Sequence, residues 1–174
     1  MTKAVFLDRD GVINKMFMRM GKLRAPYSLE EFAYCDGVEE AILNLKNAGF
    51  ILVIVTNQPD VARGWVAMEH VEAVNQFISS SLPIDEILAC FHTEKDHCEC
   101  RKPKAGMLLE AARKWNIDCS KSFMVGDRIT DIQAGLTAGC KSILVGEGED
   151  TSITHPDHEC ANLLEASRWI LRIV

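Results

Sequence analysis

An unbroken apolar run, Ile51-Leu52-Val53-Ile54-Val55, is the sequence feature that most restricts the possible folds. A strand with one wet face would alternate apolar and polar residues, so this run predicts a strand that is covered on both faces. Residues 38–48 carry apolar side chains at helical spacing, and Gly49 is a typical helix-ending residue. A helix followed by a doubly covered strand is typical of a parallel sheet with helices on both faces.

The same alternation of helix-like and strand-like segments continues along the chain. Further strands are predicted close to residues 4–7, 86–91, 122–125 and 142–145, and further helices close to 68–82, 107–115, 132–138 and 162–174. Residues 146–159 are rich in polar residues and glycine and are predicted to form a loop with no assigned function. The chain has 174 residues, of which 48% are hydrophobic, which suffices for one well-buried domain. We therefore predict a single doubly wound, Rossmann-like α/β domain over residues 1–174.

Charge and cysteine content limit the classes of function. The formal charge of −6 argues against a nucleic-acid-binding protein, which would usually present a basic face. No apolar run approaches the roughly 20 residues that cross a bilayer, and the N-terminus lacks a signal-peptide pattern. We expect a soluble cytoplasmic protein without a membrane partner, and a monomer. Seven cysteines, an odd number, fit a reducing compartment in which thiols are metal ligands or buried side chains.

Two carboxylates follow the first predicted strand directly, because Asp8-Arg9-Asp10-Gly11 comes after Ala4-Val5-Phe6-Leu7. Residues i and i+2 of an extended chain point the same way, so Asp8 and Asp10 can both face one reacting atom. The carboxyl ends of parallel strands are where such sheets bind ligands. Two neighbouring acids repel each other, and a divalent cation is the simplest compensation. The pattern predicts a metal-assisted phosphoryl-transfer site.

Three further polar clusters are predicted at the same edge of the sheet. Thr56-Asn57-Gln58 offers a hydroxyl and two amides to phosphate oxygens, and Arg101-Lys102-Pro103-Lys104 brings positive charge. The segment 126–131 adds the carboxylates of Asp127 and Asp131. Each cluster alone has an ordinary explanation as a helix cap, a solvated basic surface or a turn. Their order, at successive elements of one sheet, indicates a common active site.

A second constellation combines three thiolates and one imidazole: Cys90, His92, Cys98 and Cys100. Four such ligands complete a tetrahedral zinc site with no open position, so the predicted zinc is structural. The residues between them are too polar for free core cysteines. His97 competes as a ligand, although the paired spacing favours His92. Bound zinc would order this loop and bring Arg101 and Lys102 to the active site.

Four motifs that occur in order resemble those of the haloacid dehalogenase superfamily of phosphatases: Asp8-x-Asp10-Gly11, Thr56, Lys102 and Gly126-Asp127-x-x-x-Asp131. The resemblance implies that Asp8 is the nucleophile and forms an aspartyl-phosphate. It implies that Asp10 protonates the leaving alkoxide and then deprotonates the attacking water. Mg²⁺ would be held by Asp8, the backbone carbonyl of Asp10 and Asp127.

The same resemblance assigns the residues that bind the transferring phosphoryl group. Thr56 and Lys102 would hold its oxygens as charge redistributes in the transition state. Asp131 would orient Lys102 or a metal-bound water rather than bind the metal directly.

The zinc loop followed by Cys-x-Cys-Arg-Lys-Pro is similar to that of two families within the superfamily. These are the bacterial D-glycero-D-manno-heptose-1,7-bisphosphate 7-phosphatases and the histidinol-phosphate phosphatases. Ala62-Arg63-Gly64 and Gly106-Met107 look like the heptose enzymes, whereas Pro59-Asp60 and Lys104-Ala105 depart from their usual pattern. The resemblance implies a phosphorylated sugar substrate and a place in nucleotide-activated heptose synthesis, with histidinol phosphate as the alternative substrate.

The segment 15–27 bears on the choice between these substrates. It contains four cations and no acid: Lys15, Arg19, Lys22 and Arg24. As a lid over the site, it favours a substrate with a second phosphate over histidinol phosphate, which carries an ammonium group. The alternative interpretation is a solvated basic loop. Arg63, Arg101 and Arg128 are expected to add to the positive surface, and Arg101 is the best single candidate for the distal phosphate.

Two functions of other classes use similar residues. A receiver-type signalling domain also holds Mg²⁺ among carboxylates, but its phosphorylated Asp follows the third strand, whereas these acids follow the first. A zinc-stabilised interaction protein without activity would not need the complete set of catalytic residues.

Overall fold

The computed structural model describes residues 1–19, 21–147 and 149–174, and its elements lie within a few residues of most predicted ones. The strands are β1 (Ala4–Leu7), β2 (Phe17–Arg19), β3 (Lys22–Arg24), β4 (Ile51–Asn57), β5 (Glu86–Cys90), β6 (Phe123–Gly126), β7 (Lys141–Val145) and β8 (His158–Cys160). The α-helices are α1 (Val38–Asn47), α2 (Pro59–Ala62), α3 (Met68–Ser81), α4 (Gly106–Trp115), α5 (Ile129–Ala138) and α6 (Leu163–Ile173). Short 3₁₀ turns cover Glu94–Asp96 and Cys119–Lys121.

Six parallel strands form the central sheet in the order β5-β4-β1-β6-β7-β8. Alternate residues of β1 face opposite layers of helices. Val5 and Leu7 pack in a core with α1, α3 and α6, whereas Ala4 and Phe6 pack in a second core with α4 and α5. The predicted doubly wound α/β fold is therefore confirmed.

The topology brings the predicted site residues to one edge of the sheet. The chain runs from β1 to β4 and β5 on one side, and then returns to β6, β7 and β8 on the other side. Asp8 directly follows β1, Thr56 lies near the end of β4, and Asp127 directly follows β6. Because these three strands are neighbours, the three side chains emerge next to the switch in strand order, where such sheets bind ligands.

Two segments predicted to be loops contain strands. In the segment 15–27, β2 and β3 form an antiparallel hairpin in which Met18 lies opposite Leu23, and both side chains are exposed. At the end of the segment 146–159, β8 pairs with the edge of β7. Each of these strands is only three residues long, which is too short to show the alternating or continuous apolar pattern from which strands are predicted.

Helix α5 begins at Ile129, three residues before the predicted start at 132. Its first turn is held by Asp131, whose Oδ2 accepts a hydrogen bond from the backbone N–H of Arg128 at 3.1 Å. Within the described parts of the chain, no helix is long and apolar enough to cross a membrane.

Candidate active site

Lys102 links two carboxylates at the carboxyl edge of the sheet. Its ammonium nitrogen lies 2.8 Å from Asp8 Oδ1 and 2.6 Å from Asp131 Oδ1, and it donates to the carbonyl of Val55 at 2.7 Å. Only 3% of Lys102 is exposed. Burial lowers the pKa of Lys102, but the charges of Asp131 and Asp8 outweigh this effect and hold its pKa above the ordinary value. The lysine is therefore charged at neutral pH.

Three carboxylates crowd this end of the sheet, with one oxygen of each of Asp8, Asp127 and Asp131 lying within 4.8 Å of the others. Burial raises the pKa of Asp127 to about 8, and the charges of Asp8 and Asp131 add to the rise. Burial also raises the pKa of Asp8 to about 6, against the opposing charge of Lys102. Oδ1 of Asp127 is buried without a hydrogen-bond partner. One lysine does not balance three acids, and these hard oxygen ligands fit a divalent cation such as Mg²⁺.

Two glycines make room for the acid cluster. A Cβ atom on Gly126 would lie 2.1 Å from the Cβ of Asp131. A Cβ atom on Gly11, which has a φ of +89°, would lie 2.3 Å from Oδ2 of Asp127. Any side chain at either position would therefore push a carboxylate out of the site.

Three side chains hold Asp10, two from neighbouring residues and one from just after the end of β4. Its Oδ1 accepts hydrogen bonds from Asn14 at 2.9 Å and from Arg9 at 3.2 Å, and its Oδ2 accepts one from Gln58 at 2.6 Å. Arg9 is 0% exposed, and its guanidinium group also donates to Asn75 on α3 at 2.8 Å. Arg9 and Asn14 were not predicted as site residues, since neither a buried arginine nor a single asparagine carries a pattern signal.

The amides of Asn57 and Gln58 make hydrogen bonds within the protein. Asn57 donates to the carbonyl of Lys102 at 3.0 Å and accepts from its backbone N–H at 3.1 Å. Gln58 donates to the hydroxyl of Thr56 at 2.9 Å as well as to Asp10. Thr56 and Gln58 are both buried. The two amides predicted to bind substrate therefore also position Lys102, Thr56 and Asp10.

A cavity of about 360 Å³ opens above these residues and is lined by Asp8, Asp10, Asn57, Pro59, Arg101, Lys102, Arg128, Ile129, Thr130, Asp131 and Glu149. Of the four arginines predicted to bind substrate, Arg101 and Arg128 are in this lining. Arg63 lies further out on the rim, and Arg19 pairs with Glu31 and stacks on the ring of Tyr27. Glu149, from the segment 146–159, joins the lining and accepts a hydrogen bond from the backbone N–H of Ile129 at 3.1 Å.

The predicted zinc ligands lie together beside the cavity. Sγ of Cys100 lies 3.1 Å from Sγ of Cys90, 3.5 Å from Sγ of Cys98 and 3.3 Å from Nδ1 of His92. All four ligand atoms lie within 4.8 Å of one another, and His97 is not in the group. These spacings fit four ligands of one tetrahedral ion with bonds of about 2.0–2.3 Å.

Three of the four cations of the hairpin segment pair with acids from elsewhere in the chain, and Arg19 with Glu31 is one of these pairs. Lys15 pairs with Asp36 at 2.9 Å, and Arg24 pairs with Asp60 at 3.0 Å. The segment 15–27 therefore offers less positive charge to a substrate than its own residues alone suggest.

Comparison with known proteins identifies the family. Residues 99–166 match the family model described as HAD-hydrolase-like. The chain is 34% identical to the D-glycero-beta-D-manno-heptose-1,7-bisphosphate 7-phosphatase of Helicobacter pylori, over 97% of each chain. This chain belongs to the heptose-1,7-bisphosphate 7-phosphatase family. As predicted, that family consists of phosphoric monoester hydrolases.

Two further members of this heptose bisphosphatase family are similar to the chain. It is 38% identical to the D-glycero-alpha-D-manno-heptose-1,7-bisphosphate 7-phosphatase of Campylobacter jejuni, over 83% of this chain and 82% of that relative. The crystal structure of D,D-heptose 1,7-bisphosphate phosphatase from B. bronchiseptica, complexed with magnesium and phosphate, superposes with a TM-score of 0.87. The two share 29% identity, with 99% of this chain and 100% of that chain covered. These relatives are enzymes, which argues against a receiver-type signalling domain and against an interaction protein without activity.

Proposed function

We propose that this chain removes the 7-phosphate of D-glycero-D-manno-heptose 1,7-bisphosphate and releases heptose 1-phosphate for nucleotide-activated heptose synthesis. The observation that carries the proposal is the likeness to an enzyme named for this reaction over 97% of both chains. The cluster of Asp8, Asp127 and Lys102 supports it, because transfer of a phosphoryl group to a carboxylate needs surrounding positive charge. We propose that residues 1–174 act as one catalytic domain.

In the first proposed step, the carboxylate of Asp8 attacks phosphorus. A bond forms between phosphorus and Asp8, and the bond between phosphorus and the sugar oxygen breaks. Oδ1 of Asp8 accepts hydrogen bonds from the backbone N–H of Arg9 and from Lys102, each at 2.8 Å, which fixes the carboxylate for attack. Asp10 gives a proton to the leaving alkoxide, while Thr56 and Lys102 stabilise the charge on the transferring oxygens.

In the second proposed step, water attacks the phosphorus of the aspartyl-phosphate. Asp10 takes a proton from this water, the bond to Asp8 breaks, and inorganic phosphate is released. The hydrogen bonds from Arg9, Asn14 and Gln58 keep Asp10 oriented between the steps. Asp131 positions the ammonium group of Lys102 throughout.

The carboxylates of Asp8 and Asp127 and the backbone carbonyl of Asp10 would hold a magnesium ion. The unpartnered Oδ1 of Asp127 supports this assignment, because a buried carboxylate oxygen needs a positive partner. The ion supplies positive charge that offsets the repulsion between an anionic nucleophile and an anionic phosphate.

We further propose a structural zinc ion held by Cys90, His92, Cys98 and Cys100. The close spacing of three thiols and one imidazole nitrogen supports it, since thiolates would otherwise repel each other. A site of this kind needs reduced thiols, which fits the cytoplasm. We also propose a monomer, to be checked by light scattering. Zinc analysis of the purified protein is expected to find one ion per chain, and its absence would contradict the assignment.

The distal phosphate is proposed to bind Arg101 and Arg63, while Arg128, which lines the same cavity as Arg101, adds to the positive charge around it. Two guanidinium groups suit a phosphate and disfavour an ammonium group, which argues against histidinol phosphate as the substrate. The guanidinium group of Arg19 pairs with Glu31 and stacks on the ring of Tyr27. We therefore propose that Arg19 supports substrate binding indirectly, by holding the hairpin in place.

Phosphate release in the presence of Mg²⁺ tests the proposed substrate. Both anomers of heptose 1,7-bisphosphate should be compared with histidinol phosphate, because similar enzymes are named for the alpha anomer and for the beta anomer. We expect one heptose anomer to exceed histidinol phosphate by at least about 100-fold in kcat/KM, or roughly 2.7 kcal/mol. A preference for histidinol phosphate would overturn the proposal.

A further inference from the structure

A row of alternating charges crosses the rim of the cavity from the hairpin to the cysteine cluster. We call this row the charge ladder: Arg24, Asp60, Arg63, Glu94 and Arg101. Asp60 lies 3.0 Å from Arg24 and 2.9 Å from Arg63. Glu94 lies 3.5 Å from Arg63 and pairs closely with Arg101. The ladder ends in the active site, because Arg101 lines the cavity directly before Lys102.

The two carboxylates of the charge ladder differ in how firmly they are held. The side chain of Asp60 is 15% exposed and also accepts a hydrogen bond from the hydroxyl of Tyr27 at 3.2 Å. The side chain of Glu94 is 65% exposed. Within the described residues, its only ion pairs are those with Arg63 and Arg101. An exposed glutamate in such pairs is weakly held, since water screens the charges of both partners. Glu94 is therefore the member that another anion can replace.

We propose that Glu94 is the resident counter-ion of an anion subsite formed by Arg63 and Arg101, and that the second phosphate of the substrate displaces its carboxylate. This inference rests on the proposed function and deepens it, because it names a residue that sets the preference for a bisphosphate. A phosphate group carries more charge than a carboxylate and offers three oxygens to two guanidinium groups, so it competes well for both. A sugar hydroxyl in the same place does not compete, and Glu94 then stays where it is.

Charge-neutral replacement of this glutamate tests the proposal. In Glu94→Gln, the second phosphate no longer competes with a resident anion. We expect KM for heptose 1,7-bisphosphate to fall by between about twofold and fivefold, with kcat unchanged. KM for heptose 7-phosphate, which lacks the second phosphate, should stay the same. The matched control is Glu99→Gln in the same loop, because Glu99 is exposed and pairs with Lys104 instead, and this control should change neither KM.

A parallel measurement separates failure of this inference from failure of the proposed function. Hydrolysis of p-nitrophenyl phosphate needs no heptose, and its inhibition by fructose 1,6-bisphosphate can be compared with inhibition by fructose 6-phosphate. Glu94→Gln should strengthen inhibition by the bisphosphate alone, whichever natural substrate the enzyme prefers. An unchanged or weaker inhibition by the bisphosphate, or an equal gain for both sugars, would overturn the subsite.

Discussion

The active site has a floor, which consists of Asp8, Thr56, Lys102, Asp127 and Asp131, and a rim, which is the charge ladder. Both regions use the same kinds of charged side chain, but they differ in burial. On the floor, Lys102 and Asp131 are almost completely excluded from solvent, whereas on the rim the side chain of Glu94 is 65% exposed. Charges interact strongly where water is excluded, and an unpaired charge there is costly. Exposed pairs contribute little to stability. On the proposed mechanism, the floor therefore determines whether phosphoryl transfer occurs, and the rim adjusts which phosphate ester is preferred.

Asp8→Asn should produce the largest effect, because it removes the proposed nucleophile from the floor. We expect kcat to fall by at least about 10⁴-fold, as for other residues that form the covalent intermediate. The free energy of unfolding should not fall, since the change also relieves repulsion among three acids. Phosphate release and chemical denaturation measure the two effects. A variant that kept a tenth of the activity would place the nucleophile elsewhere.

Lys102→Met tests how strongly the floor depends on its central cation. The change leaves Asp8 and Asp131 buried without their partner, so we expect the free energy of unfolding to fall by about 3–5 kcal/mol. Adding Asp131→Asn should recover part of this loss, because it removes one of the two unpaired acids. Denaturant titrations of both variants without divalent cations provide the comparison. Equal or greater loss in the double variant would contradict the expected recovery.

Cys100→Ser tests whether the cysteine cluster binds zinc and thereby positions Arg101 and Lys102. We expect the zinc content to fall well below one ion per chain and the Tm to drop by about 4–8 °C, equivalent to about 2 kcal/mol. The value of kcat/KM should fall as well, because Arg101 and Lys102 directly follow Cys100. Cys35→Ser is the control, since Cys35 lies outside the cluster. Equal zinc content in both variants would contradict the assignment.

Asp60→Asn should have the smallest effect, because it changes only the rim. We expect the free energy of unfolding to fall by about 1–2 kcal/mol, because the side chains of Asp60 and Arg24 are each only 15% exposed, and KM for the bisphosphate to rise no more than about fivefold. Trp65 fluorescence should also change, since Arg24 lies 4.5 Å from its ring centre and would be held less firmly. In the control Asp36→Asn, the exposed pair with Lys15 is lost without these changes. A large loss of kcat would show that the rim takes part in the chemistry.

Sequence patterns predicted the floor better than the rim for a physical reason. Asp8 and Asp127 directly follow strands, and Thr56 ends an apolar run, so strand prediction alone brings these residues to one edge. The rim depends on pairs between distant segments, such as Arg24 and Asp60, which lie 36 residues apart. Acids that lie outside residues 15–27 in the sequence accordingly offset part of the positive charge predicted for that segment.

Buried charge was the other feature that sequence reasoning could not supply. No role was predicted for Arg9, yet it is completely buried and binds both Asp10 and Asn75. A charged residue is expected at the surface unless its partners are known. Those partners become apparent only when α3 is packed against the sheet.

The bond between Lys102 and Asp8 joins positions that lie 94 residues apart in the chain. During synthesis at about 5–20 residues per second, Asp8 would emerge roughly 5–20 seconds before Lys102. Throughout that interval its carboxylate remains hydrated and without its cation. Catalytic competence is therefore acquired late, and a nascent chain that stalls before Lys102 would contain the nucleophile but not the site.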